Sequence, residues 1–178
     1  MVMTFKERFA YFQEVRQRAD VRKNHPNGTY MSAKLSHRSQ RQLDSWVSEN
    51  NIPNAADPAQ YHTTIIYSRK GVPDASQYDL QLPIKAKIKE WKIFPTQTGA
   101  KCLVAIVDSP EFELHHLNIR NQYGATHDYP DYHPHVTVSY DYGEGPAPAD
   151  VPPFALEFNS REIKPLDPTF VPPKKNAD

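Results

Sequence analysis

Apolar and polar positions along this chain fall into short blocks whose period changes several times. Thr4-Phe5-Lys6-Glu7 has the form of a capping box, and Phe5, Phe9, Phe12 and Val15 follow at helical spacing. A helix is therefore predicted from about Thr4 to Arg22. Arg16, Arg18, Arg22 and Lys23 form a solvated basic face suited to its C-terminal end, and Asn24-His25-Pro26-Asn27-Gly28 stops it. From Gly28 to Leu35 the period is two, with Tyr30, Ser32 and Lys34 on one face and Met31, Ala33 and Leu35 on the other. A second helix is predicted over about Ser39 to Asn50, its buried stripe being Leu43, Trp46 and Val47. Tyr61 to Tyr67 reads as a strand. From Pro83 to Phe94, Ile84, Ala86 and Ile88 alternate with Lys85, Lys87 and Lys89; the alternation slips at Glu90-Trp91, which predicts a bulge. Lys101 to Val107 is more fully apolar, a buried strand. Ser109-Pro110-Glu111 opens a helix with proline at its first position; Gly124 ends it after Tyr123. Pro134 to Tyr140 and Phe154 to Ile163 complete the strands, and Asn176-Ala177-Asp178 is expected to fray. Short spacings between strands favour antiparallel pairing with helices packed outside, an α+β fold.

At 178 residues the chain suits one domain, taken as residues 1–178. Lys plus Arg and Asp plus Glu number 21 each, so the formal net charge is zero. Composition thus offers no nucleic-acid-coating surface, and no stable DNA or RNA complex is expected. The one cysteine, Cys102, excludes an internal disulfide and fits a reducing compartment; its apolar neighbours make it a core residue. No stretch is long and apolar enough to span a membrane, and Met1 to Glu7 lacks a signal-peptide apolar region. The late clustering of proline predicts ordered loops rather than a second domain.

One pattern occurs twice. Tyr61-His62-Thr63-Thr64-Ile65-Ile66-Tyr67 and Pro134-His135-Val136-Thr137-Val138-Ser139-Tyr140 both contain His, any residue, Thr, a β-branched aliphatic, any residue, Tyr. On strands, His62 and Thr64 share a face, as do His135 and Thr137. The opposite faces carry Val136, Val138 and Tyr140 in one copy and Thr63, Ile65 and Tyr67 in the other. Facing strands would present two imidazoles that exchange protons near neutral pH and two hydroxyls that donate to an anion. That set suits in-line displacement at a phosphodiester: one His takes the nucleophile's proton, the other protonates the leaving oxygen, and Thr64 and Thr137 hold the non-bridging oxygens. No metal or other cofactor is required. A lone His-x-Thr is a common structural feature of strands; two copies with matched flanks are not.

The paired motif resembles the signature of the two-histidine (2H) phosphoesterase superfamily. Further segments resemble its phage anti-CBASS protein 1 branch: Tyr30 to Ser36, Asn51-Ile52-Pro53-Asn54, His62 to Lys70, Phe94-Pro95-Thr96-Gln97, and Gly124-Ala125-Thr126 running on to Pro134 to Tyr140. The resemblance implies two pseudo-symmetric lobes of antiparallel sheet with outer helices around a central cleft. It also implies a metal-independent nuclease that opens cyclic di- and trinucleotide messengers of bacterial immunity, acting in the host cytoplasm. The same four residues, His62, Thr64, His135 and Thr137, would equally serve a 2′,3′-cyclic or 2′,5′-oligonucleotide phosphodiesterase. A non-catalytic sponge for the messenger is the reading from another class.

Nucleotide binding calls for stacking surfaces. Tyr30, on the polar face beside Ser32 and Lys34, is the first candidate, and Trp91, at the slip in alternation, is the second. The resemblance implies that both stack on bases and that Glu162 accepts from a base amino group; for Trp91 a core position is the competing reading. His133-Pro134-His135 with His115-His116 is a conceivable metal set, but no Cys or carboxylate spacing accompanies it. His133 is better read as a flank of the cleft and His115-His116 as mostly exposed. There is no nucleophile elbow and no phosphate-binding glycine loop.

Overall fold

The computed structural model describes residue 4, residues 6–11 and residues 25–170. Of the helix predicted over Thr4 to Arg22, residues 6–11 are helical. Thr4 and Glu7 form the capping box, the Thr4 amide donating to Glu7 Oε2 at 2.7 Å and the Glu7 amide to Thr4 Oγ1 at 3.3 Å. The rest of that helix, its basic face and the C-terminal Asn176-Ala177-Asp178 lie outside the described residues.

Among the described residues six strands close into an antiparallel barrel: β1 (Thr29–Leu35), β2 (His62–Ser68), β3 (Ile84–Pro95), β4 (Lys101–Asp108), β5 (His135–Ser139) and β6 (Ala155–Pro165), in the spatial order β1-β2-β5-β4-β3-β6. Two helices lie among them, α1 (His37–Glu49) and α2 (Pro110–Tyr123). The chain runs β1-α1-β2 and later β4-α2-β5, and in each half the outer two strands pair antiparallel. The halves meet where β2 pairs with β5, and β3 and β6 pair with each other to close the barrel.

Local chemistry sets the element ends. Ser36 Oγ accepts from the Ser39 amide at 3.2 Å, so α1 starts two residues earlier than its apolar stripe suggests. Ser109 Oγ accepts from the Phe112 amide at 3.2 Å, and Gly124, with φ of 70°, ends α2 in the left-handed conformation. One face of the strands carries the core. Met31, Ala33, Ile66, Ile84, Leu103, Val136, Leu156 and Phe158 are buried there with Leu43 and Val47 of α1 and Phe112 and Ile119 of α2. Cys102 is only half-buried, not a core residue; it pairs across the ladder with Phe94.

Helix α2 inverts expectation. Leu114 and Leu117 are exposed, whereas His115 and His116 are buried at 8% and 4% exposure. Each histidine has a specific inward partner that residue polarity does not reveal. His115 Nδ1 lies 2.7 Å from the Tyr78 hydroxyl. His116 Nδ1–H donates to the Ile65 carbonyl at 2.7 Å, and its ring stacks on Tyr132 at 4.0 Å. Burial, opposed by that hydrogen bond, lowers the His116 pKa to about 4.

That shift makes stability pH-dependent. The unfolded chain takes up a proton at His116 near pH 6.5 and the folded chain only near 4, so stability is full above 6.5 and falls as pH drops through this window. The loss from this residue is about 3 kcal/mol. Urea unfolding from pH 7 to 4 should display it, and His116→Phe should flatten that part of the slope while starting from lower stability.

Candidate active site

The two His-x-Thr strands are adjacent, and each carries a bulge at the same place. Between β1 and β2, Met31 pairs with Ile66 and Ser32 with Thr64, which leaves Ile65 as the extra residue. Between β4 and β5, Leu103 pairs with Ser139 and Val104 with Thr137, which leaves Val138. An extra residue reverses the alternation beyond it. Ile65 and Ile66 are therefore both buried, as are Val138 and Ser139. Tyr67 and Tyr140, expected on the core face, turn instead onto the face of His62, Thr64, His135 and Thr137. The spacing of three from Thr to Tyr, odd for a regular strand, was the available signal.

Each bulge frees a carbonyl, and each carbonyl finds a donor outside the ladder. His116 donates to Ile65 O, and the Ala56 amide donates to Val138 O at 2.7 Å. The β2·β5 seam has one registered pair, Thr63 with Val136. Side chains do the rest: Tyr132 Oη donates to Thr64 O at 2.8 Å, and the His135 amide donates to Thr63 Oγ1 at 3.2 Å.

The result is a cleft of about 440 Å³ lined by Tyr30, Ser32, Lys34, Gln60, His62, Thr64, Tyr67, His135, Thr137, Tyr140, Glu162, Lys164, Leu166, Asp167 and Phe170. The two imidazoles are held alike. His62 Nδ1 is 2.6 Å from Gln60 O, and His135 Nδ1 is 2.7 Å from His133 O, in each case the carbonyl two residues back. A carbonyl only accepts, so each Nδ1 carries hydrogen and each Nε2 is left to take or give a proton. Burial lowers both pKa values from 6.5, and the backbone bond partly offsets it. Lys34 and Lys164 lower His62 further while Glu162 raises it; His62 and His133 lower His135, so the two rings sense each other. Tyr30 Oη lies 3.2 Å from Thr64 Oγ1, and Tyr140, whose pKa burial pushes up to about 12, interacts with Thr137. Aromatic edges flank both histidines: Tyr30 beside His62 at 6.2 Å and Phe94 beside His135 at 5.2 Å.

Of the residues singled out from sequence, His62, Thr64, His135, Thr137, Tyr30 and Glu162 line this one cleft. Glu162 Oε2 and Oε1 take Lys34 at 2.8 Å and Lys164 at 3.0 Å; the Lys34 hydrogen bond is the largest influence holding its carboxyl below the usual range. Each oxygen keeps a further lone pair. His133 contributes its carbonyl, and its side chain is exposed. Trp91 is elsewhere. The bulge in β3 falls at Lys89, between Ile88 and Glu90, and it turns Trp91 inward. Trp91 pairs with Ala105, and Ala105 with Val136, so all three share the core face. Its ring is 6% exposed, stacks on Trp46 at 4.9 Å and donates Nε1–H to Asp150 O at 3.0 Å. It has no face free for a base, and the base-stacking expectation for Trp91 is corrected to a core role. No three His, Cys, Asp or Glu side chains gather as metal ligands among the described residues. No helix there is long and apolar enough to cross a membrane.

The barrel with its two motif strands is the 2H phosphoesterase fold. Solved structures bear this out: a phosphoesterase crystal structure aligns with a TM-score of 0.53 at 11% identity, covering 79% of this chain and 95% of the other. E. coli LigT with NADP+ aligns with a TM-score of 0.53 at 11% identity, covering 77% and 86%. The chain belongs to the anti-CBASS protein Acb1 family, whose family model matches residues 27–171. It is 33% identical over 147 residues to the Acb1 of Enterobacteria phage T4, covering 82% of this chain and 93% of that one. To the Acb1 of Vibrio phage KVP40 it is 36% identical over 114 residues, covering 64% and 73%.

Trp91→Ala should cost about 3–5 kcal/mol of stability, as for other buried tryptophans. Urea unfolding reads that loss, and the folded fraction should keep its ligand affinity.

Proposed function

We propose that this protein is a metal-independent phosphodiesterase that opens cyclic di- and trinucleotides at their 3′,5′ linkages. It would thereby silence cyclic-oligonucleotide antiphage signalling in the cytoplasm of the host cell. The observation that carries the reading is the pair of His-x-Thr units on one cleft, each imidazole held through Nδ1 with Nε2 left over. Membership of the anti-CBASS Acb1 family supports the ligand class.

In a ribonucleotide ring the 2′-hydroxyl already lies beside the phosphorus. One imidazole, neutral, takes its proton through Nε2 as the oxygen attacks. The P–O5′ bond breaks, and the second imidazole, charged, protonates the departing oxygen. Thr64 and Thr137 donate to the non-bridging oxygens as charge builds there. The product is a linear nucleotide ending in a 2′,3′-cyclic phosphate, which water can later open with the histidine roles exchanged. Tyr30 supplies an aromatic surface for a base, and Glu162 an acceptor for a base amino group.

The deciding assay incubates purified protein, with EDTA, against cyclic dinucleotides, cyclic trinucleotides and RNA 2′,3′-cyclic ends, and identifies products by mass. Opened rings are expected. Intact rings with tight binding would make the protein a sponge, and turnover of RNA ends alone would make it an RNA-end phosphodiesterase. His62→Ala and His135→Ala should each lower kcat by about 10²–10⁴-fold. Thr64→Val and Thr137→Val should cost less, about three- to tenfold, as for one hydrogen bond. Near wild-type turnover in both histidine variants would sink the assignment.

The rate should follow a bell in pH, since one imidazole must be neutral while the other is charged. Burial lowers both from 6.5, so the kcat/KM bell, which reports the free enzyme, should centre on the acid side of that value. The bound phosphate anion favours imidazolium and should move the kcat profile to higher pH. Initial rates from pH 4.5 to 9 check both.

A further inference from the structure

We infer that Lys34 and Lys164, spaced by Glu162, form a second anion subsite that holds a non-scissile phosphate of the cyclic substrate. The inference rests on the phosphodiesterase reading and adds a reason for preferring rings to single linkages.

Ladder register defines the cleft floor. Across β6, β1 and β2, Lys164 faces Tyr30 and Tyr30 faces Tyr67; Glu162 faces Ser32 and Ser32 faces Thr64; Lys34 faces His62. Neighbouring strands are about 4.8 Å apart. Lys34 thus stands one strand from the first motif, and Glu162 and Lys164 stand two strands from it, about 10 Å. A cyclic dinucleotide has two phosphates on one ring. With one phosphate at the His-x-Thr pairs, the other projects across the floor, away from β2. Two ammonium groups, Lys34 and Lys164, are met there, with the carboxylates of Glu162 between them and of Asp167, which lines the same cleft and interacts with Lys164.

The cluster has little to do for folding. Lys34, Glu162 and Lys164 side chains are 34%, 32% and 45% exposed, and ion pairs so exposed stabilise weakly. Lys164 is also held ready: its ammonium lies 5.5 Å from the Tyr30 ring centroid and 5.3 Å from that of Phe170. Moving onto a phosphate would uncover the Tyr30 face on which a base can then stack. Glu162 bridges the two ammonium groups, one on each carboxylate oxygen.

The test measures binding, in protein made inactive by His62→Ala and His135→Ala, by calorimetry with cyclic di-AMP and with linear ApA, which has a single phosphodiester. The ratio of the two affinities should fall about tenfold or more in Lys34→Met and in Lys164→Met, as expected for loss of a charge-assisted contact. Lys34→Arg and Lys164→Arg should restore it. Equal loss for both ligands, or failure of arginine to rescue in variants with wild-type melting temperature, would overturn the subsite. The turnover assay is separate: lysine-dependent ring binding without ring opening would refute the phosphodiesterase reading and leave the subsite standing.

Discussion

The matched β-bulges at Ile65 and Val138 are the constraint on which the rest of this site depends. A regular strand shows His and Thr on one face and sends a residue three positions further to the other. With one extra residue, the third member of the motif returns to the first face, and each strand presents His, Thr and Tyr together. The carbonyls that the bulges free cannot stay unpaired where they are buried, so each recruits a donor. On the β2 side that donor is His116, and on the β5 side it is the Ala56 amide. Site geometry and core composition are thereby coupled: a histidine is buried in α2 and serves a carbonyl of the first motif strand.

The two histidines are alike in backbone anchoring and unlike in surroundings. Both lean on the carbonyl two residues before, which selects the same tautomer. Across the cleft the fields differ. His62 lies among Lys34, Lys164 and Glu162, whereas His135 feels His62 and His133. The asymmetry comes from Lys34 on β1 and from Glu162 and Lys164 on β6, the latter strand lying outside the repeated halves.

Helix α2 shows how a local reading by polarity fails. Its leucines 114 and 117 face solvent while its adjacent histidines face inward, each satisfied by one hydrogen bond. Burial without a second partner leaves His116 Nε2 unbonded to protein, which is why its charged form is so disfavoured. A buried neutral imidazole is tolerable near neutral pH and becomes a liability in acid.

Much was determined by the sequence alone. The periods of two and about 3.6, the capping box at Thr4 to Glu7, the helix start at Ser109 and the stop at Gly124 specify the elements and their order, since these signals act over a few residues. The repeated His-x-Thr marks the candidate site because residue type and spacing are legible directly. Only the tertiary structure decided the rest. Whether Trp91 met a ligand or the core turned on one extra residue, Lys89, and on Trp46 some forty-five positions earlier. Tyr67 and Tyr140 entered the cleft because of bulges that alternation cannot locate to the residue. Lys34, Glu162 and Lys164 became one cluster because β6 returns beside β1 after more than a hundred residues. Register between distant strands is set by packing and closure of the whole barrel, and no local pattern encodes it.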